Sequence, residues 1–148
     1  MSIPFRLLIP GRHYDEIVAQ AKAELPNECC GLLAGLVDQL KVGRVLQRYS
    51  LVNNAASPTE YLANDITLFH AYRDMRERDL DLLAVYHSHP VTEPVPSKTD
   101  LERNYFEDVM HLIISLKGDA PVTRGWWLGK RDYREAEWER LLIDSEGG

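Results

Sequence analysis

The sequence predicts an α/β (α+β) fold, a mixed central β-sheet flanked by helices, and three observations carry that expectation. Apolar runs of strand length recur at 30–37 (CGLLAGLV), 81–87 (DLLAVYH) and 109–116 (VMHLIISL). Between them lie segments whose apolar residues repeat at helical spacing. The two kinds of segment mix along one chain of 148 residues, the length of one ordinary domain.

Taken in order, Pro10-Gly11 opens a helix over about 11–24, with Tyr14, Ile17, Val18 and Ala21 on one side, and Pro26-Asn27 stops it. The run 30–37 suits a buried strand. The imperfect alternation of Val42, Arg44, Leu46 and Arg48 makes 41–53 its hairpin partner. Asn53-Asn54 and Ser57-Pro58 mark a loop with a short extended piece at Glu60-Tyr61-Leu62. Asn64 or Asp65 caps a second helix, about 65–78, predicted to bury Ile66, Phe69, Tyr72 and Met75. A strand at 81–87 follows, then a third helix starting near Ser97 and a central strand at 109–116. The segments 123–130 and 131–143 read as a closing pair of strands, with a helix as the alternative for the second. Residues 1–143 form one domain in this reading, and 144–148 a C-terminal tail.

Net charge is 17 minus 23, or −6, which gives no support for a nucleic-acid footprint. No apolar run approaches membrane-spanning length, and the first residues do not read as a signal peptide. The adjacent Cys29 and Cys30 do not make a disulfide scaffold, which fits a reducing, cytoplasmic setting.

The stretch HSHPVTEPVPSKTD, residues 87–100, is the chemically distinctive one. Side chains at i and i+2 of a strand share a face, so a strand continuing through His89 projects both His87 and His89 from its carboxyl end. Pro90, Pro94 and Pro96 stiffen a connector that returns Asp100 over that end. Two histidines and one carboxylate leave a fourth position open on Zn²⁺, the pattern of a catalytic site. The same residues also fit plainer roles: His-x-His as surface or packing residues, and Ser97-x-x-Asp100 as a helix N-terminus, with Ser97 the cap. The capping role and the metal role are compatible.

His-x-His, seven residues, Ser, two residues, Asp is similar to the signature of the JAMM metalloproteases, also called MPN+ or JAB domains, and His87, His89, Ser97 and Asp100 match it in full. That family carries a glutamate upstream, before a Cys-Gly and an apolar strand; here Glu28-Cys29-Cys30-Gly31-Leu32-Leu33 stands in that place. The resemblance covers about 5–130 and implies the JAMM/MPN fold, related to that of cytidine deaminase, although the Pro-Cys-x-x-Cys ligand pair of the deaminases does not occur in this chain. It implies Zn²⁺ on His87, His89 and Asp100, with Glu28 as general base and then general acid, and Ser97 as a donor to the developing oxyanion. The compact chain resembles the stand-alone prokaryotic type, which implies as substrate the Gly-Gly tail of a ubiquitin-like or sulfur-carrier protein. The alternative is a non-catalytic MPN-type interaction module, but such relatives generally lack one or more of the five residues found here. A DNA-repair-associated relative typically has His-Asn-His-Pro-Ser-Gly, from which Ser88 and Val91-Thr92 depart.

Among other candidates, Glu93 in the connector could reach the site, although a charged loop residue of this kind is usually just solvated, and a thiolate from Cys29 or Cys30 as fourth ligand would make the site structural. Both cysteines are read instead as small buried residues flanking Glu28. His13, His70 and His111 are read as structural or surface residues, His111 as a satisfied one near the core. The terminal Gly147-Gly148 is read as a frayed end.

Overall fold

The computed structural model describes residues 4–104, 106 and 108–142. Along the chain run β1 (Arg6–Pro10), α1 (Gly11–Ala23), β2 (Cys30–Val37), β3 (Val42–Leu51), α2 (Asp65–Glu77), β4 (Asp81–His89), α3 (Lys98–Glu102), β5 (Met110–Ser115), β6 (Val122–Leu128), β7 (Tyr133–Ala136) and β8 (Trp138–Leu141). The described strands make one mixed sheet in the order β7-β6-β5-β4-β2-β3-β1-β8. The predicted tail 144–148 lies outside the described residues.

Alternation along the central strands divides the core between the two sheet faces. Leu33, Tyr86, Leu112 and Ile114 pack with Ile17 and Ala21 of α1 on one face. Cys30, Leu32 and Val85 pack with Ala71 and Met75 of α2 on the other. Each fully buried leucine or isoleucine contributes roughly 1.5–3 kcal/mol relative to exposure.

The imperfect alternation in β3 has a local cause. Leu33 faces Arg48 and Ala34 faces Gln47, but Gly35 faces Val45, so Leu46 is an extra residue. On the other side of β2, Leu33 faces Ala84 and Ala34 faces Leu82, leaving Leu83 as an extra residue in β4. The chains draw so close here that a Cβ on Gly35 would lie 1.8 Å from the Arg44 carbonyl oxygen.

Two expectations are corrected. Helix α2 begins at the Asn64 cap as predicted, the Asn64 side chain accepting from the Thr67 N–H. However, it buries Ala71 and Met75, with Leu68 half-buried, while Ile66 and Phe69 stand 66% and 58% exposed and Tyr72 is also exposed. The apolar residues supply two competing stripes, and packing on the sheet selects the one containing Leu68, Ala71 and Met75. The predicted closing pair is also only half present. β6 and β7 form an antiparallel hairpin, but the chain then passes through Glu137 to β8, which pairs in parallel with β1 at the opposite edge. The Leu7 N–H donates to the Glu137 carbonyl at 3.1 Å, so a nearly continuous extended segment joins both edges of a strongly curled sheet. The piece at Glu60-Tyr61-Leu62 is irregular, with one isolated bridge, between Asn53 and Ala63, beside it.

Candidate active site

β4 continues through His89, so His87 and His89 project from one face at its carboxyl end. Both are buried, with 1% and 3% exposure. Their neighbours across the sheet are Cys30 on β2, which pairs with His87, and Ile113 and Ser115 on β5, which pair with His87 and His89.

The connector is held by its own carbonyls. The Ser115 hydroxyl donates to the Thr92 carbonyl at 2.6 Å, and the Trp126 indole N–H donates to that of Pro94 at 2.9 Å. Between them, the Glu93 carbonyl lies 2.8 Å from His89 Nδ1. That contact places a ring proton on Nδ1, so Nε2 is the nitrogen that faces the site, offering a lone pair when the ring is neutral. The Glu93 carboxylate turns outward to Lys117 at 3.0 Å, so the backbone of Glu93, rather than its charge, supports the site.

Ser97 caps α3 in a reciprocal box. Its Oγ accepts from the Asp100 N–H at 3.0 Å, and the Asp100 Oδ2 accepts from the Ser97 N–H at 2.9 Å. As an acceptor in this contact, the hydroxyl keeps its own O–H for another partner. The cap brings Asp100 Oδ2 to 3.2 Å from His87 Nε2 and 3.2 Å from His89 Nε2, and those two nitrogens are 3.2 Å apart. Tetrahedral zinc with bonds of about 2.0–2.1 Å separates its ligand atoms by roughly 3.3–3.4 Å, so two imidazole nitrogens and one carboxylate oxygen in this near-equilateral set suit the ion. Among the described residues, His87, His89 and Asp100 form the metal-capable cluster, and neither cysteine joins it.

The electrostatics follow from this crowding. Burial opposes ionisation of Asp100, but His87, the hydrogen bonds from both histidines and the Ser97 N–H outweigh it and hold the carboxyl well below its usual range. Burial likewise opposes protonation of His89, and hydrogen bonds to Asp100 and to the Glu93 carbonyl reverse the direction, raising it.

Glu28 precedes β2 and is 3% exposed. Its N–H donates to the Ser57 carbonyl at 2.8 Å and its carbonyl accepts from Asn53 Nδ2 at 2.9 Å, so its backbone belongs to the loop after β3. Its Oε1 is buried with no hydrogen-bond partner among the described residues. Burial pushes its carboxyl up to about 8, with His89 opposing the shift and Asp100 and Glu60 adding to it. A buried carboxylate with an unsatisfied oxygen beside a histidine–aspartate cluster is suited to accept a proton.

Residues that sequence reasoning passed over complete the surroundings. Tyr61 stacks on the His87 ring, centroids 4.7 Å apart. The Ser88 hydroxyl, on the opposite face from the histidines, accepts from the Cys29 N–H at 2.8 Å, while the Ser88 N–H donates to the Cys29 carbonyl at 3.2 Å. The histidine strand is thereby tied to the residue after Glu28. The spacing of Tyr61 and Ser88 along the chain carried no signal for these contacts, because each depends on the fold. A cleft of about 370 Å³ opens beside Asp100, lined by Tyr61, Leu62, Leu68, Tyr72, Arg103 and Phe106 among others.

Cys29 and Cys30 are fully buried, and burial pushes each thiol up to about 12, as expected of inert packing residues. His70 lies on the surface and His13 is buried beside Glu16. His111 is buried as predicted but is not the satisfied residue expected, because its Nε2 has no hydrogen-bond partner among the described residues. Burial holds its imidazole down at about 4.

Several known proteins are similar to this chain. The chain is 28% identical over 128 residues to a desampylase of Pyrococcus furiosus, covering 86% of each protein. It is 30% identical over 111 residues to the CysO-cysteine peptidase of Mycobacterium tuberculosis, covering 75% of this chain and 74% of that one. Over 97 residues, 65% of this chain and 62% of the other, it is 37% identical to a probable TtuB-protein conjugate cleaving protease of Thermus thermophilus. Among solved structures, a protein from Desulfitobacterium hafniense superposes with a TM-score of 0.85 at 30% identity, covering 95% of this chain and 96% of that one. One from Salinibacter ruber superposes at 0.67 and 27% identity, covering 90% and 91%. The model of the prokaryotic homologues of the JAB domain matches residues 10–129, and the chain belongs to that family.

Proposed function

We propose that the protein is a zinc-dependent peptidase or isopeptidase that hydrolyses an amide bond at the C-terminal Gly-Gly tail of a ubiquitin-like or sulfur-carrier protein. The observation that carries this reading is the meeting of His87 Nε2, His89 Nε2 and Asp100 Oδ2 at mutual distances of 3.2 Å, with the buried Glu28 beside them. The names of the relatives support the substrate class, since they describe a desampylase, a CysO-cysteine peptidase and a TtuB-conjugate protease.

His87, His89 and Asp100 hold the ion in this reading, and zinc there would supply Lewis acidity and lower the pKa of water towards about 7. Glu28 takes the proton from the attacking water at its carboxylate and returns it to the departing amine, which needs no covalent enzyme intermediate. Ser97 donates its free O–H to the developing oxyanion, a contact whose loss commonly costs ~3 kcal/mol of transition-state stabilisation. The cleft between Tyr61 and Arg103 suits an extended tail, because glycines pass where side chains do not.

The test is incubation of the zinc-loaded protein with tail-extended sulfur-carrier proteins, read by mass spectrometry. Cleavage immediately after Gly-Gly is expected, and failure to cut any tail would overturn the reading. Glu28→Gln should retain about one zinc per chain and lose hydrolysis. Full activity in that variant would refute the assigned base.

A further inference from the structure

Glu28 lies before β2, and both of its backbone polar groups bond to the loop after β3. One side chain organises that loop. Asn53 Nδ2 donates to the Glu28 carbonyl at 2.9 Å and to the Glu60 carbonyl at 3.2 Å. Its Oδ1 accepts from the Ala55 N–H at 3.0 Å and the Leu62 N–H at 2.9 Å. These four contacts use the whole hydrogen-bonding capacity of a carboxamide. They also fix its orientation, since a flipped amide would turn NH₂ onto two N–H donors and its oxygen onto two carbonyls.

The partners lie on two functional pieces. Glu28 is the base of the proposed reaction. Glu60 and Leu62 flank Tyr61, which stacks on His87 and lines the cleft beside Asp100. We propose that Asn53 is a positioning residue: it registers the Glu28 backbone against the 60–62 segment, so that the base and the wall of the substrate cleft are held as one unit. This inference rests on the peptidase reading. Its physical basis is that a displacement of about 1 Å at a reacting group can lower the rate about 100-fold.

Asn53→Asp separates the two halves of the contact. Its side chain still has an oxygen to accept from Ala55 and Leu62, and the main-chain bonds Asn54 N–H to Leu62 carbonyl and Asn64 N–H to Val52 carbonyl remain, both 2.8 Å. The two N–H donors facing Glu28 and Glu60 are replaced by a second oxygen. For the zinc-loaded variant, kcat on a tail-extended carrier protein should fall about 100-fold. KM should change less than about threefold on the same argument that displacement affects the chemical step. Zinc content should stay at the wild-type value. Asn53→Ala, which removes all four contacts, should lose at least as much kcat and raise KM as well.

A readout on the unmodified chain keeps the claim testable even if both variants misfold. In metal-free wild type, the amides of Glu28, Ala55 and Leu62 should exchange with solvent hydrogen through one common opening, and both Nδ2 protons of Asn53 should be protected. Unrelated exchange rates at those amides, or kcat per zinc-loaded chain within threefold of wild type in Asn53→Asp, would overturn the proposal. If wild type cuts no Gly-Gly tail, the peptidase reading fails instead, while the exchange data still decide whether Asn53 ties the two segments together.

Discussion

Glu28 is a carboxyl group that the fold favours in its protonated form. Burial raises its pKa from 4.5 to about 8 in the metal-free protein. The sign follows from linkage: this contribution to stability is full below the ordinary carboxyl range and is lost as pH rises through about 8. Metal-free Glu28→Gln should therefore gain thermal stability relative to metal-free wild type at pH 9, with little difference at pH 4, as read by melting curves in chelator. Ser97 carries two separable roles. Ser97→Ala should lose about 1 kcal/mol of stability with the cap and, on the proposed mechanism, about 100-fold in kcat. Denaturant unfolding and steady-state kinetics measure the two separately. The positions of His87, His89, Ser97 and Asp100 were legible in the sequence because local geometry fixes them: strand alternation aligns the histidines and a capping box places the aspartate. The stacking of Tyr61 on His87 and the tie from Asn53 to Glu28 were not legible, since these partners are 26 and 25 positions apart along the chain and meet only through the fold.

At the scale of elements, β2, β3, β4 and β5 were readable from their apolar runs, and the caps marked α2 and α3. The face of α2 was not. Ile66, Phe69 and Tyr72 repeat at a helical interval as regular as that of Leu68, Ala71 and Met75, and spacing alone does not rank the two stripes. Packing against Cys30, Leu32 and Val85 does. Met75→Ala should accordingly cost about 2–5 kcal/mol in denaturant unfolding, whereas Phe69→Lys should stay within about 0.5 kcal/mol of wild type. The reverse ranking would mean that the helix is rotated. Gly35 marks a second feature that spacing could not show. Its neighbours on both sides bulge at the same level, and Gly35→Ala would drive a Cβ into the Arg44 carbonyl.

For the molecule as a whole, the unreadable step was the departure of β8 from β7. A chain of short, mixed, half-exposed strands reads naturally as a hairpin, and nothing local announces that Glu137 separates partners at opposite edges of the sheet. Trp138, stacked on Tyr14 with centroids 5.5 Å apart and packed near Gly125, ties that crossing to α1 and β6. Trp138→Ala should cost on the order of 3 kcal/mol and should lower the stability of the whole domain in one transition, seen as coincident loss of far-ultraviolet and tryptophan signals. The same crossing has a consequence during synthesis. β8 follows β1 in the chain only after every other element of the sheet, so the outer side of β1 lacks its native partner until the elements between them have been made. The three residues of the histidine–aspartate cluster are already present by residue 100, ahead of Ser115 and Trp126, which hold the connector between them. In a crowded cell, β8 therefore determines how long β1 remains open to pairing with a neighbouring nascent chain.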